Sequence, residues 1–171
     1  LNAQEATGYG IEFDFRKRLD FASALTNFTF QTNLSYIFNK VNDPKVKINR
    51  PMQGQSPYVI NGSLQYDIGK AGISTTLLFN QVGRRILYVG NEQVPEIWEN
   101  ARPLLDFQIA KKVLNNKGDI RLNISDIFNK RAYFYHDVDK SKNLKLGSTD
   151  VIAISRNYGT TVSISFGYSI K

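Results

Sequence analysis

Cysteine is absent from the 171 residues, and histidine, methionine and tryptophan occur once each. Without thiols there is no disulfide framework, no thiolate metal centre and no catalytic cysteine; the redox compartment stays open, because envelope and cytosolic proteins both do without cysteine. His136 alone cannot build a multi-histidine metal site. No G-x-S-x-G elbow, Walker loop or dinucleotide fingerprint occurs. The expectation is a protein that is not an enzyme, with no catalytic, cofactor-binding or metal-ligating residues assigned. Long apolar runs are also missing: nothing approaches the ~20 residues that a membrane helix needs. That absence leaves a membrane barrel open, since a barrel strand shows lipid only at every second residue and its average hydropathy resembles that of a soluble protein. No fixed-period repeat, low-complexity tract or linker divides residues 1–171, which read as one domain. The first residue is Leu1 and no leader pattern follows it, so a piece of something longer is expected.

What is present begins with charge. Lys and Arg number 22 against 15 Asp and Glu, a net charge of +7, which raises the question of an anionic partner. The basic residues are scattered: Arg16, Lys17 and Arg18, then Lys45, Lys47 and Arg50, Arg84 and Arg85, and Lys140, Lys142 and Lys145. Phosphate binders concentrate charge on one face, so these read mostly as solvated turns and loops and nucleic acid is not an expected partner. The phosphates of lipopolysaccharide are a fitting anionic neighbour.

The dominant pattern has period two. In the last segment, residues 157–170, Tyr158, Thr160, Val162, Ile164, Phe166, Tyr168 and Ile170 share one face, and Asn157, Gly159, Thr161, Ser163, Ser165, Gly167 and Ser169 share the other. In the first, Tyr9, Ile11, Phe13 and Phe15 alternate with Gly10, Glu12, Asp14 and Arg16, a charged face that must meet water or polar groups. Between them lie Leu25 to Asn39, Tyr58 to Asp67, Ile73 to Val82, Leu104 to Val113 and Asp119 to about Asn129, each with its apolar residues in phase. Many of these strands reach the ~9 to 11 residues of a tilted membrane strand, rather than the ~5 to 6 usual in globular proteins.

The links alternate short and long. Arg18 to Ala24, Ile68 to Gly72 and Leu114 to Gly118 are short; Lys40 to Ser56, Gly83 to Pro103 and Lys130 to about Ser155 are long. An outer-membrane barrel has tight periplasmic turns at one rim and long extracellular loops at the other, which would leave the C-terminus periplasmic. Aromatic residues fall at both strand ends, Tyr36, Phe38, Tyr58 and Tyr158 near the long links and Phe15, Phe21, Tyr66, Phe166 and Tyr168 near the short ones, as two interfacial girdles would. Seven strands are odd in number, whereas bacterial single-chain barrels close with an even number, so further strands are expected outside these residues. The fold class is therefore all-β, an antiparallel transmembrane barrel segment of about seven long strands.

Two segments carry a family resemblance. Asn49-Arg50-Pro51-Met52-Gln53-Gly54-Gln55-Ser56-Pro57-Tyr58-Val59-Ile60-Asn61 resembles a barrel segment of Bacteroidetes TonB-dependent receptors, especially those with a carboxypeptidase-regulatory-like N-terminal domain. Asn123-Ile124-Ser125-Asp126-Ile127-Phe128-Asn129-Lys130 is similar to a segment near the end of such receptors, with Ser125-Asp126 where Asn is more usual. The final strand also looks like theirs, but ends Tyr168-Ser169-Ile170-Lys171 where a terminal aromatic is common. The resemblance implies the C-terminal part of a 22-stranded barrel in the cell outer membrane. It further implies energy-coupled uptake of a scarce solute (siderophore, glycan or peptide), an N-terminal plug, the remaining barrel strands and the TonB system as partners. The weaker likeness to SusC-related glycan importers leaves room for a surface lipoprotein.

The competing reading is a soluble β-sandwich binding module for carbohydrate or nucleic acid, since sandwich strands also have one apolar face. Strand length, link alternation and rim aromatics favour the barrel. For either, Tyr88, Trp98, Tyr133 and Tyr135 in the long links are candidate substrate contacts, Trp98 foremost because an exposed indole can stack on a sugar, although packing between loops is the commoner role. Asp137, Asp139, Ser141 and Asn143 are spaced like the start of a calcium loop, but Lys142 stands where such a loop needs Gly and Ser148 where it needs a bidentate Glu. They read as a solvated surface loop.

Overall fold

The computed structural model describes residues 5–43, 48–91, 93–147 and 149–170. Lys45, Lys47, Ser148 and Lys171, which figure in the sequence reading, lie outside them. The strands are β1 (Glu5–Arg18), β2 (Phe28–Asp43), β3 (Ile48–Arg50), β4 (Tyr58–Ile68), β5 (Ile73–Val82), β6 (Arg85–Tyr88), β7 (Ile97–Glu99), β8 (Arg102–Val113), β9 (Gly118–Ser125), β10 (Ala132–His136), β11 (Val151–Arg156) and β12 (Thr161–Tyr168). A large sheet runs β1-β2-β4-β5-β8-β9-β12, with β3 paired to β2, and a second sheet runs β11-β10-β7-β6.

The path of the large sheet consists of the seven strands expected from period two, in chain order and antiparallel throughout. Directly paired residues point to the same face, and the register keeps the apolar set in phase across every pair. One row runs Phe30, Leu64, Leu77, Phe107, Ile124 and Val162; the next runs Phe28, Tyr66, Thr75, Ile109, Leu122 and Ile164. The opposite face has Gln31, Ser63, Leu78, Asp106, Ser125 and Thr161 in one row and Thr29, Gln65, Thr76, Gln108, Asn123 and Ser163 in another. Side-chain amides pair across the polar face, Asn80 to Asn61 at 2.6 Å and Gln108 to Asn123 at 2.6 Å.

The rows also reveal a stagger. Followed through the pairings, the row through Ile164 reaches the level of Leu19, whose backbone N–H bonds the Phe28 carbonyl. The apolar stretch of β1 is centred near Ile11, about eight residues away. With ~3.3 Å per residue and ~4.8 Å between strands, that offset over the intervening steps is a strand tilt of roughly 40°, the inclination of barrel strands. The tilt follows from keeping every apolar stretch within one band.

Nothing among the described residues covers this band. Tyr9, Ile11 and Phe13 on β1 and Val162, Ile164 and Phe166 on β12 are all exposed, Ile164 by 75%. The sheet does not close: β1 and β12 are its two edges, and every residue of β1 is exposed. The two sheets are not the apolar layers of a sandwich, because the large sheet's apolar face stays open and the fully buried side chains, Ile86 and Tyr135, lie in the second sheet.

The short links are tight turns. Ser23–Leu25 and Gly69–Ala71 each form one 3-10 turn, the second ended by Gly72 in the left-handed region at φ 61°. In the third, Leu114, Asn115 and Asn116 are all left-handed, and the Lys117 N–H closes the turn on the Leu114 carbonyl. Several expected boundaries move. The second strand begins after the 3-10 turn and extends to Asp43; β9 stops at Ser125 because Asp126 turns left-handed at φ 55°; β12 starts only after Gly159 at φ 80°. The larger correction concerns the long links, which are not plain loops. They supply β3 and all four strands of the second sheet.

The two faces of β12 predict opposite responses to charge. Arginine at Ile164, near the band's midline, should cost ~2 to 4 kcal/mol in lipid, whereas arginine at Ser163 on the polar face should fold nearly as the parent does. Unfolding midpoints in bilayers or detergent micelles measure both, and equal losses would mean that the faces are not distinguished by their solvent.

Candidate functional site

The second sheet is assembled from two links that are remote in sequence. β6 and β7 come from residues 83–103, β10 and β11 from 130–156, and β7 pairs with β10 through Phe134 opposite Glu99 and Tyr135 opposite Trp98. At its centre is Arg84. Its guanidinium lies 3.8 Å over the Trp98 ring, donates to the Tyr135 hydroxyl at 3.0 Å and pairs with the Asp137 carboxylate at 2.8 Å. The Arg84 and Asp137 side chains are only 14% and 4% exposed, so the pair is desolvated on both sides. Burial pushes the Tyr135 phenol above its ordinary value, against the lowering effect of Arg84. A desolvated cation–π contact contributes up to ~2 kcal/mol, and losing one partner of a buried ion pair costs ~3 to 5 kcal/mol. Arg84 therefore holds the two links together more than any other single side chain here.

Neighbouring contacts extend this joint. Arg85 pairs with Glu99 at 2.7 Å across β6 and β7, and the His136 Nδ1 lies 3.1 Å from the Glu96 carbonyl. The segment around Gln53 joins the first long link to the second: Gln53 Nε2 donates to the Leu87 carbonyl at 2.8 Å and the Gly54 N–H to the Ile86 carbonyl at 2.8 Å. Gly54 sits at φ 76° in the turn closed by the Gln55 N–H on the Met52 carbonyl, which suits a glycine at the third position of a type II turn. Ser56 Oγ donates to the Tyr58 carbonyl at 2.7 Å, and a Cβ on Gly83 would come within 2.8 Å of both Ser56 Oγ and the Tyr58 ring. The Q-G-Q-S-P-Y run is thus a joint between wall and loops. At the far end, Arg102 pairs with Asp126 and approaches the Tyr158 ring to 5.0 Å, while Thr160 Oγ1 donates to the Asp126 carbonyl at 2.9 Å.

The aromatic candidates separate. Tyr88, at the end of β6, is 58% exposed and free to meet a solute. Trp98 is half-buried, with Arg84 over its ring, and Tyr133 is half-buried in β10. Tyr135 is 0% exposed, so it is a packing residue and not a surface for substrate. Reading Arg84 and Arg85 as solvated loop charges is also corrected: both are paired. Sequence reasoning missed Arg84 because its Tyr135 and Asp137 partners lie more than fifty residues away; the available signal was Arg85–Tyr88, a short run of strand formers inside a supposed loop.

Beyond β10 the chain turns through Lys140 and Lys142, both left-handed, and Lys145 reaches back to Asp139 at 2.5 Å. That ammonium, with hydrogen bonds from Ser141, holds the Asp139 carboxyl far below the usual aspartate range, and the same contact raises Lys145. On the polar face of the wall, a hollow combines the amides of Gln31, Asn33, Asn61 and Asn80 and the Asp106 carboxylate with the apolar side chains of Leu78, Phe79 and Leu104, a mixed surface.

Replacing Arg84 with Met should loosen the second sheet while sparing the wall. The expected outcome is faster hydrogen exchange in β7 and β10 by about a hundredfold or more, equivalent to ~3 kcal/mol, with a changed Trp98 emission and unaltered exchange in β4 and β5. Uniformly accelerated exchange would show that the two sheets are one cooperative unit.

In comparisons with known proteins, the outer membrane protein beta-barrel family matches residues 1–167. No curated protein and no solved structure shows significant similarity to the chain.

Proposed function

Since the chain belongs to the outer membrane protein beta-barrel family, we propose that it forms wall and loops of a TonB-dependent receptor, which takes up a scarce solute across the outer membrane at the expense of inner-membrane energy. The supporting observation is the combination of a lipid-seeking face, a polar wall with a hollow, and long links folded into a sheet braced by Arg84. A simple pore needs no such braced loops, whereas a receptor must hold a binding surface in place before anything moves. The likeness of residues 49–61 and 123–130 to Bacteroidetes receptor segments points the same way. Siderophores, glycans and peptides are the solute classes of this reading, with the exposed Tyr88 as a contact on the loop sheet, and the role involves no bond chemistry.

In this reading the free edges of β1 and β12 pair with strands beyond these residues, because unpaired backbone groups in hydrocarbon cost several kcal/mol each. A plug meets the polar wall, whose Glu12, Asp14 and Arg16 require partners or water. The long links face outward, where lipopolysaccharide surrounds the rim, and the short ones face the periplasm. A surface lipoprotein could rest on the second sheet.

Two experiments test the proposal. Cells that accumulate a labelled solute through this protein should lose accumulation, but keep surface binding, when a protonophore collapses the inner-membrane gradient; undiminished accumulation would reduce the protein to a passive pore. Cysteine introduced at Asn91 or Asn143 should react with an impermeant maleimide on whole cells and cysteine at Asn116 should not, and the reverse pattern would invert the topology.

A further inference from the structure

We propose that Asp137, Asp139 and Asp150 form a binding site for a hard divalent cation, calcium by its tolerance of an irregular carboxylate set, in the connection between β10 and β11. Each residue offers one carboxylate oxygen, and these oxygens lie within 4.8 Å of one another. Hydrogen bonds inside this connection do not account for all of the carboxylate capacity. Asp137 Oδ2 accepts from Arg84 and from the Lys142 N–H at 3.0 Å, and Asp150 Oδ2 accepts from the Lys145 N–H at 2.7 Å. Asp137 Oδ1 and Asp150 Oδ1 are buried and have no hydrogen-bond partner among the described residues. The Asp137 side chain is 4% exposed and Asp150 is 8% exposed, so the second oxygen of each carboxylate is withdrawn from bulk water with no donor of its own among the described residues. A buried anionic oxygen with no donor is costly, and a cation shared between the two would supply what is missing.

Charge and coordination indicate which cation. Three carboxylates carry three negative charges, and the buried Arg84 neutralises one. Lys145 neutralises a second through Asp139, but its side chain is 48% exposed and can swing into water at little cost. With Lys145 displaced, two negative charges remain, the complement of a divalent ion. All donors are oxygen, which selects calcium or magnesium over softer metals. Oxygens within 4.8 Å of one another can surround either ion; calcium is favoured because it accepts an irregular set of protein carboxylates, whereas magnesium demands near-ideal octahedral geometry and gives up its water reluctantly. The sequence pattern pointed at this loop but at the wrong closing residue: the third carboxylate is Asp150, beyond the position where a standard calcium loop ends.

The proposed ion would tie β10, through Asp137, to the start of β11, through Asp150. Since Asp137 also holds Arg84, occupancy would reach Trp98. The site stands whether or not the protein is a transporter.

The test uses the protein extracted from outer membranes in detergent, freed of lipopolysaccharide and of divalent ions, and titrated with calcium chloride. Calorimetry and Trp98 emission, with Trp98→Phe as the blank, report binding. Saturation at about 10⁻⁴ to 10⁻³ M, the range of extracellular calcium modules, with magnesium chloride about tenfold weaker or worse, is expected. Asp139→Asn should weaken calcium by about tenfold or more, and Lys145→Met, which removes the competing ammonium, should tighten it several-fold. Absence of saturable binding up to about 10 mM would overturn the proposal. So would binding that is indifferent to both substitutions, which would assign the ion to residual lipid.

Discussion

The structure depends on an unslipped backbone ladder. Side chains alternate with period two, so a one-residue shift in any pair would send a whole strand's apolar set to the other face. From β1 to β12 the pairing runs without a bulge, and the rows stay in phase through all seven strands. The second sheet is built differently: its pairings shift between Ile86 and Tyr88 and between Phe134 and Tyr135. A regular ladder gives the wall one continuous apolar band, and none of the described residues supplies a cover for it. Lipid is the cover that the family provides. The tilt of roughly 40° is the geometric consequence of keeping every strand's apolar stretch within that band.

The same ladder explains what was legible in the sequence. Each wall strand has to change solvent at every residue, so Tyr9 to Arg16 or Thr161 to Tyr168 announces itself by alternation alone. Boundaries were less legible because they depend on single residues adopting left-handed conformations, Asp126 and Gly159 among them. The second sheet was not legible at all. Its strands are short, and β10 buries Phe134 and Tyr135 on successive residues, which erases alternation. Its centre is a guanidinium whose ring partner comes from one long link and whose hydroxyl and carboxylate partners come from another. No local pattern encodes such a meeting. Only the redundancy of strand-forming residues in Arg85–Tyr88 and Ala132–His136 hinted that these links were more than loops.

The two sheets therefore rest on different physics, and this separates their responses. The wall is held by backbone hydrogen bonds and by the transfer of apolar side chains to lipid, terms that depend little on salt or ions. The second sheet is held in large part by charge: Arg84 with Asp137, Arg85 with Glu99, and Lys145 with Asp139. Of these, the pair at Arg84 is buried and firm, while the one at Lys145 is exposed and replaceable. Between wall and second sheet stand a few directional joints, notably Gln53 and Gly54 on β6 and the packing of Ser56 and Tyr58 on Gly83. These joints involve backbone carbonyls and a glycine, so they transmit position and not charge. A solute or ion that alters the charge pairs can consequently loosen or tighten the loop sheet while the wall keeps its register.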